Sequence, residues 1–86
     1  MKTLNYLHLQ TENILKGELV VRDLKQNKAI VKAKNIYGKT GGSPEYYYVA
    51  LIRMPKSRNP KRRRWFNVCI YHTKKLAMDW FKREKK

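Results

Sequence analysis

The sequence has little negative charge, a single cysteine and no long apolar run. Its six acids, Glu12, Glu18, Asp23, Glu45, Asp79 and Glu84, are scattered. No two of them form a pair or cluster suited to acid–base or two-metal chemistry. Cys69 is the only cysteine, which excludes an intrachain disulfide framework and a multi-cysteine zinc site, and fits a reducing compartment. His8 and His72 stand far apart in the sequence with no ligand-spaced partner, so no metal is expected. No glycine motif that cradles phosphate precedes a helix. No apolar run approaches the ~20 residues that cross a bilayer. The opening stretch MKTLNYLHLQTENI is broken by Asn5, His8 and Gln10, unlike the continuous apolar centre of a signal peptide. Internal repeats and Ser/Gly/Pro-rich linkers are also missing. These absences lead us to expect a soluble, cytoplasmic, non-enzymatic protein with no cofactor and no membrane partner.

Positive charge is abundant. Twenty-one Lys and Arg give a net charge of +15 and a pI near 10.3. Packing that much like charge into a small body is unfavourable unless a partner supplies the opposite sign. Nucleic acid is the commonest such partner, with an anionic membrane surface and an acidic protein face as the other candidates. An aromatic content of 12% argues for a folded domain rather than a disordered basic tail. Residues 1–86 make one domain, whose core must be thin, because a chain of this size hides only about 60% of its unfolded surface.

The organisation follows from periodicity. Residues 3–16 contain Leu4, Leu7, Leu9, Ile14 and Leu15 without a clean period, so a short helix and an irregular strand both remain open. ELVVRDL (18–24) and KAIVKAKNI (28–36) flank the polar KQN and predict a β-hairpin within an N-terminal segment, 1–35. Alternation sets Ala29, Val31 and Ala33 on one face and Lys28, Lys32 and Lys34 on the other. YGKTGGSPE (37–45) reads as a loop. YYYVALIRM (46–54) and RWFNVCIYH (64–72) read as strands. Thr73 can cap a final helix whose apolar stripe is Leu76, Ala77, Trp80 and Phe81. The expected fold is α+β: a small antiparallel sheet, made of the N-terminal hairpin and the two late strands, with the C-terminal helix packed on one face.

Between the late strands, Lys56, Arg58, Lys61, Arg62, Arg63 and Arg64 place six cations in nine positions. Arginine in particular makes bidentate contacts to phosphate or guanine. Strand parity assigns Tyr46, Tyr48, Ala50 and Ile52, with Phe66, Val68 and Ile70, to the helix-facing side. The opposite side has Tyr47, Val49, Leu51 and Arg53, with Arg63, Trp65, Asn67 and Cys69. Cys69 itself is expected to be a small buried hydrophobe. Tyr46, Tyr47 and Tyr48 cannot all face one way, so at least one is exposed or covered by the N-terminal segment.

ALIRMP (50–55), RRWF (63–66) and YHTKKLAMDWF (71–81) together resemble the AP2/integrase-type DNA-binding domain over residues 36–86. Ile52, Arg53, Met54 and Pro55 match the end of that family's second strand. Arg63 and Trp65 match its Arg-x-Trp pair, and Thr73, Ala77 and Trp80 match its helix. The resemblance implies a three-stranded sheet that enters the major groove, with a helix behind it. It also suits a phage, plasmid or bacterial accessory protein. Three departures stand out. Tyr37-Gly38-Lys39 lacks the family's arginine, the last strand is about two residues longer, and Val49 and Leu51 are apolar on the face turned to DNA.

The expected function is therefore nucleic-acid binding, with duplex DNA preferred to RNA, in the cytoplasm at the nucleoid. Loop 56–64 would hold phosphates, aided by Lys39, while Arg53, Arg63, Trp65 and Asn67 would lie nearest the bases. The alternatives are a ribosome-associated or other RNA-binding protein, and a basic inhibitor that occupies the nucleic-acid site of an acidic partner.

Overall fold

In the computed structural model, the described residues are 2–10, 13–34 and 46–83, leaving aside the side chains at 61 and 62. Among these residues, five strands and one α-helix follow in the order β1 (Thr3–Leu7), β2 (Ile14–Asp23), β3 (Lys28–Lys34), β4 (Tyr46–Arg53), β5 (Trp65–Tyr71) and α1 (Lys74–Lys82). A 3-10 helix, Pro60–Arg63, interrupts the connection from β4 to β5. This is the expected antiparallel sheet with a C-terminal helix packed against it. The segment whose period was ambiguous becomes β1 and the start of β2, both strands.

The sheet curls until its edges meet. Successive strands pair antiparallel, and β1 returns to β5 to close a barrel. With five strands in up-and-down order the first and last run the same way, so the closing pair is parallel: Tyr6 faces Trp65 and Leu7 faces Phe66. Closure turns one face of the sheet into the interior. Tyr6, Ala29, Val31, Val49, Leu51 and Trp65 form that core, with Leu4, Leu15, Leu19 and Ala33 packed against it. The small residues permit the tight curvature. At Gly17 an added Cβ would lie 2.6 Å from Val31 Cγ2.

The β2–β3 turn has the chemistry its sequence suggests. Asp23 Oδ1 accepts the backbone N–H of Lys25 at 2.9 Å and of Gln26 at 3.3 Å. Asn27 adopts φ 56°, the left-handed region that Asn tolerates better than most residues.

Helix α1 packs outside the barrel on β3, β4 and β5. It covers outward-pointing Ile30 and Ala50, both fully buried, and buries its own Ala77. Thr73 caps it, its hydroxyl accepting the Leu76 N–H at 3.3 Å. The stripe is narrower than its spacing predicts. Leu76 is 49% exposed, and Trp80 and Phe81 are half-buried. At the other end, the buried Lys28 Nζ donates to the Arg83 carbonyl at 2.6 Å and lies 5.4 Å from the Trp80 ring centroid. Lys28 thus does not share the solvated environment of Lys32 and Lys34. Its charge neutralises the negative end of the helix.

Parity in β5 is broken by one residue. Ala50 pairs with Cys69 while Leu51 pairs with Asn67, so Val68 is the extra residue of a β-bulge. A two-residue offset would preserve the faces, whereas this one exchanges them. Cys69 points outward and is exposed, contrary to the expected buried thiol, and Ile70 pairs with inward Val49. Phe66, Val68 and Ile70 therefore do not share one helix-facing surface.

Candidate nucleic-acid interface

The basic connection is folded rather than extended. Ser57 N–H donates to the Met54 carbonyl at 3.2 Å, and Asn59 N–H to Ser57 Oγ at 3.3 Å. Pro60 then opens the 3-10 helix, where its fixed φ suits a first helical residue and its missing N–H leaves no donor unpaired. Arg63 Nε reaches back to the Ser57 carbonyl at 2.8 Å and ties the two ends of the loop together. Lys56, Arg58, Arg63 and Arg64 are all exposed on this short structured projection. The side chains of Lys61 and Arg62, and the whole of Lys39, lie outside the described residues.

The remaining three expected contacts are placed differently. Alternation does turn Arg53, Trp65 and Asn67 away from α1, but closure makes that side the barrel lining. Trp65 is 7% exposed and belongs to the core. Asn67 is 9% exposed, and its Oδ1 accepts the Leu9 N–H at 2.9 Å, latching the chain after β1 onto β5. Half-buried Arg53 plugs the end of the barrel. Its guanidinium carbon sits 5.3 Å from the Trp65 ring centroid, its Nη2 is 3.4 Å from Asn27 Oδ1, and its Nε is buried with no hydrogen-bond partner. A base edge cannot reach Trp65 or Asn67 in this fold. The expected sheet-face readout is corrected on that ground: β1 covers the surface that the three-stranded resemblance would leave free.

At the opposite end of the barrel, the structure gathers residues that the sequence reading did not connect. His8 follows β1, Lys16 lies on β2, Lys34 ends β3 and Tyr47 is the second residue of β4, and all four line one opening. Their sequence separation hides the grouping, which exists only once the sheet has closed. Tyr47 also meets the His72 ring, with centroids 5.4 Å apart. Nearby on the outer surface, Lys32 Nζ lies 4.6 Å from the Tyr46 ring centroid.

Among the described residues, no group of three or more His, Cys, Asp or Glu could hold a metal ion. Among them, too, no helix is long and apolar enough to cross a membrane. Compared with known proteins, the chain matches no family model, no curated protein and no solved structure.

Proposed function

We propose that this is a non-enzymatic nucleic-acid-binding protein that grips the backbone of duplex DNA in the cytoplasm with the projection at 56–64. The observation that carries this reading is the set of four exposed cations, Lys56, Arg58, Arg63 and Arg64, on a loop fixed by the 3-10 helix and the Arg63–Ser57 bond. A pre-shaped cationic projection meets phosphates without first paying the entropy of ordering a mobile arm. The aromatic residue next to it, Trp65, is buried. The loop therefore lacks the stacking platform by which single-strand binders hold unpaired bases. With Trp65 and Asn67 inside the barrel, affinity on this reading comes from backbone charge, and sequence contributes little.

A titration over a range of salt concentrations tests it. Each phosphate neutralised on duplex DNA contributes about −0.9 to the slope of log K against log salt. Four cations give about −3.6, and Lys61 and Arg62 would bring it to about −5.4. Replacing Arg63 and Arg64 by Ala should flatten the slope by up to ~2 and weaken two unrelated duplexes equally. A slope near zero would refute the reading. Tighter binding to structured RNA would move the function to RNA. A stoichiometric complex with an acidic protein, alongside negligible DNA affinity, would favour the inhibitor alternative.

A further inference from the structure

The open end of the barrel, away from the basic loop, has the composition of a small ligand site. Its floor is apolar, Leu15, Ala33 and Val49, with Ile70, 44% exposed, at the mouth. Three aromatic rings border it, those of Tyr6, His8 and Tyr47. Lys16 and Lys34, both exposed, contribute positive charge at the rim. The Val68 bulge is what brings Ile70 into this opening, by turning it inward opposite Val49. His8 Nδ1 accepts the Gln10 N–H at 3.3 Å, which fixes the ring and leaves Nε2 as its other polar atom. Tyr47 and Arg53 lie six residues apart along β4, so the two ends of the barrel are about 20 Å apart.

From this chemistry we infer that the opening binds a nucleotide, its base lodged on the apolar floor among the aromatic rings and its phosphate held by Lys16 and Lys34. A nucleotide combines a flat aromatic body with an anionic group a few bonds away, which is what such a floor and rim complement. Sites of this kind are largely apolar, with a few polar groups that orient the ligand. A base placed against aromatic side chains gains stacking energy irrespective of its identity, so the site should accept several bases. The nucleotide can come free from solution or as the phosphorylated end of a strand. The inference does not depend on the loop at 56–64, because the two surfaces share no residue.

The test is a heteronuclear NMR titration of the intact protein with adenosine 5′-monophosphate, adenosine and inorganic phosphate in parallel. The monophosphate should shift the amides of His8, Ala33, Lys34, Val49 and Ile70. Adenosine should act at the same amides more weakly, and phosphate alone should leave the floor residues unmoved. Lys16→Gln with Lys34→Gln should weaken the monophosphate about tenfold, the loss of two solvent-exposed charge contacts. Lys56→Gln, at the other end, should change nothing here. A 5′-phosphorylated oligonucleotide that binds more tightly than the monophosphate assigns the source to a strand end, and one that binds no more tightly assigns it to free nucleotide. Shifts confined to residues 56–64 would overturn the inference, as would equal binding of adenosine and monophosphate. Loss of duplex binding in the Arg63/Arg64 variant with the monophosphate shifts intact would show the two sites to be separate. Failure of one reading therefore leaves the other standing.

Discussion

Arg53 is the residue on which the family resemblance and the structure disagree most directly, and its replacement separates them. In the barrel its aliphatic stem is half-buried, and its guanidinium lies over Trp65 at 5.3 Å. Truncation to Ala removes two methylenes, each worth up to ~0.8 kcal/mol when fully buried, so about 0.8 kcal/mol at half burial. It also removes a cation–π contact worth about 1 kcal/mol in a partly desolvated setting. The sum, about 2 kcal/mol, corresponds to a Tm lower by roughly 8–16 °C for a domain of this length.

Arg53→Met gives a different result. Methionine keeps most of the stem and its contact with the indole, while deleting the buried Nε that has no partner. Leaving such a group unsatisfied costs about 1–3 kcal/mol, which offsets the lost cation–π term. Arg53→Met should therefore lie within about 1 kcal/mol of the native protein in urea denaturation. Neither variant should alter the preference between two duplexes of unrelated sequence. If Arg53→Met kept native stability but lost 1–3 kcal/mol on one duplex only, the value of a bidentate guanine contact, Arg53 would be reading bases. The structural account of it would then be wrong.

Three further outcomes follow from the packing. Gly17→Ala should destabilise by about 1–3 kcal/mol, because its Cβ would meet fully buried Val31 at 2.6 Å; a neutral result in chemical denaturation would show that β2 and β3 can separate without penalty. Lys28→Met should cost about 1.5–3 kcal/mol, the value of a hydrogen bond from a charged donor to the Arg83 carbonyl, with hydrogen exchange accelerated first at the end of α1. Burial raises the Tyr6 phenol above its ordinary value near 10. The folded state then holds that proton more tightly than the unfolded state, so its contribution is complete below about pH 10 and is lost as pH rises through the folded value. Tyr6→Phe should remove this part of the alkaline loss of stability, and parallel alkaline slopes for the two proteins would contradict it.

Much of the local structure was legible in the sequence, because it depends on signals a few residues wide. KQN between two alternating runs predicts the hairpin, and Asp23 and Asn27 supply the turn chemistry that makes it. Thr73 predicts the helix start and caps it. Alternation correctly divided Ala29, Val31 and Ala33 from Lys32 and Lys34. The helix stripe was partly legible. Ala77 is buried, but Leu76 is 49% exposed. Lys28 gave no signal at all, since a lysine in an alternating strand looks the same whether solvent or a helix C-terminus lies above it.

The candidate site was legible only in its charged part, for a physical reason. Periodicity divides a strand into two faces but does not say which face lies inside. That depends on whether the sheet stays open or closes. Val49 and Leu51 on the supposed DNA-facing side were the sequence's own sign of a covered surface. The cover is β1, whose residues had no clean period because Tyr6 and Leu4 face the core while Leu7 meets Phe66 outside it. Closure then buries Trp65 and Asn67 and leaves the cations of the loop in solvent. The bulge at Val68 acts in the same way at the far end, where it turns Ile70 into the opening and Cys69 out of it. Closure and a one-residue bulge both change which face is inside while leaving local propensity untouched. The residues they relocate are Trp65, Asn67, Cys69 and Ile70. Arg58, Arg63 and Arg64 sit on the connection between strands, where neither change reaches them, so the charge in this loop stays in solvent as its sequence suggested, while the strand face beside it does not.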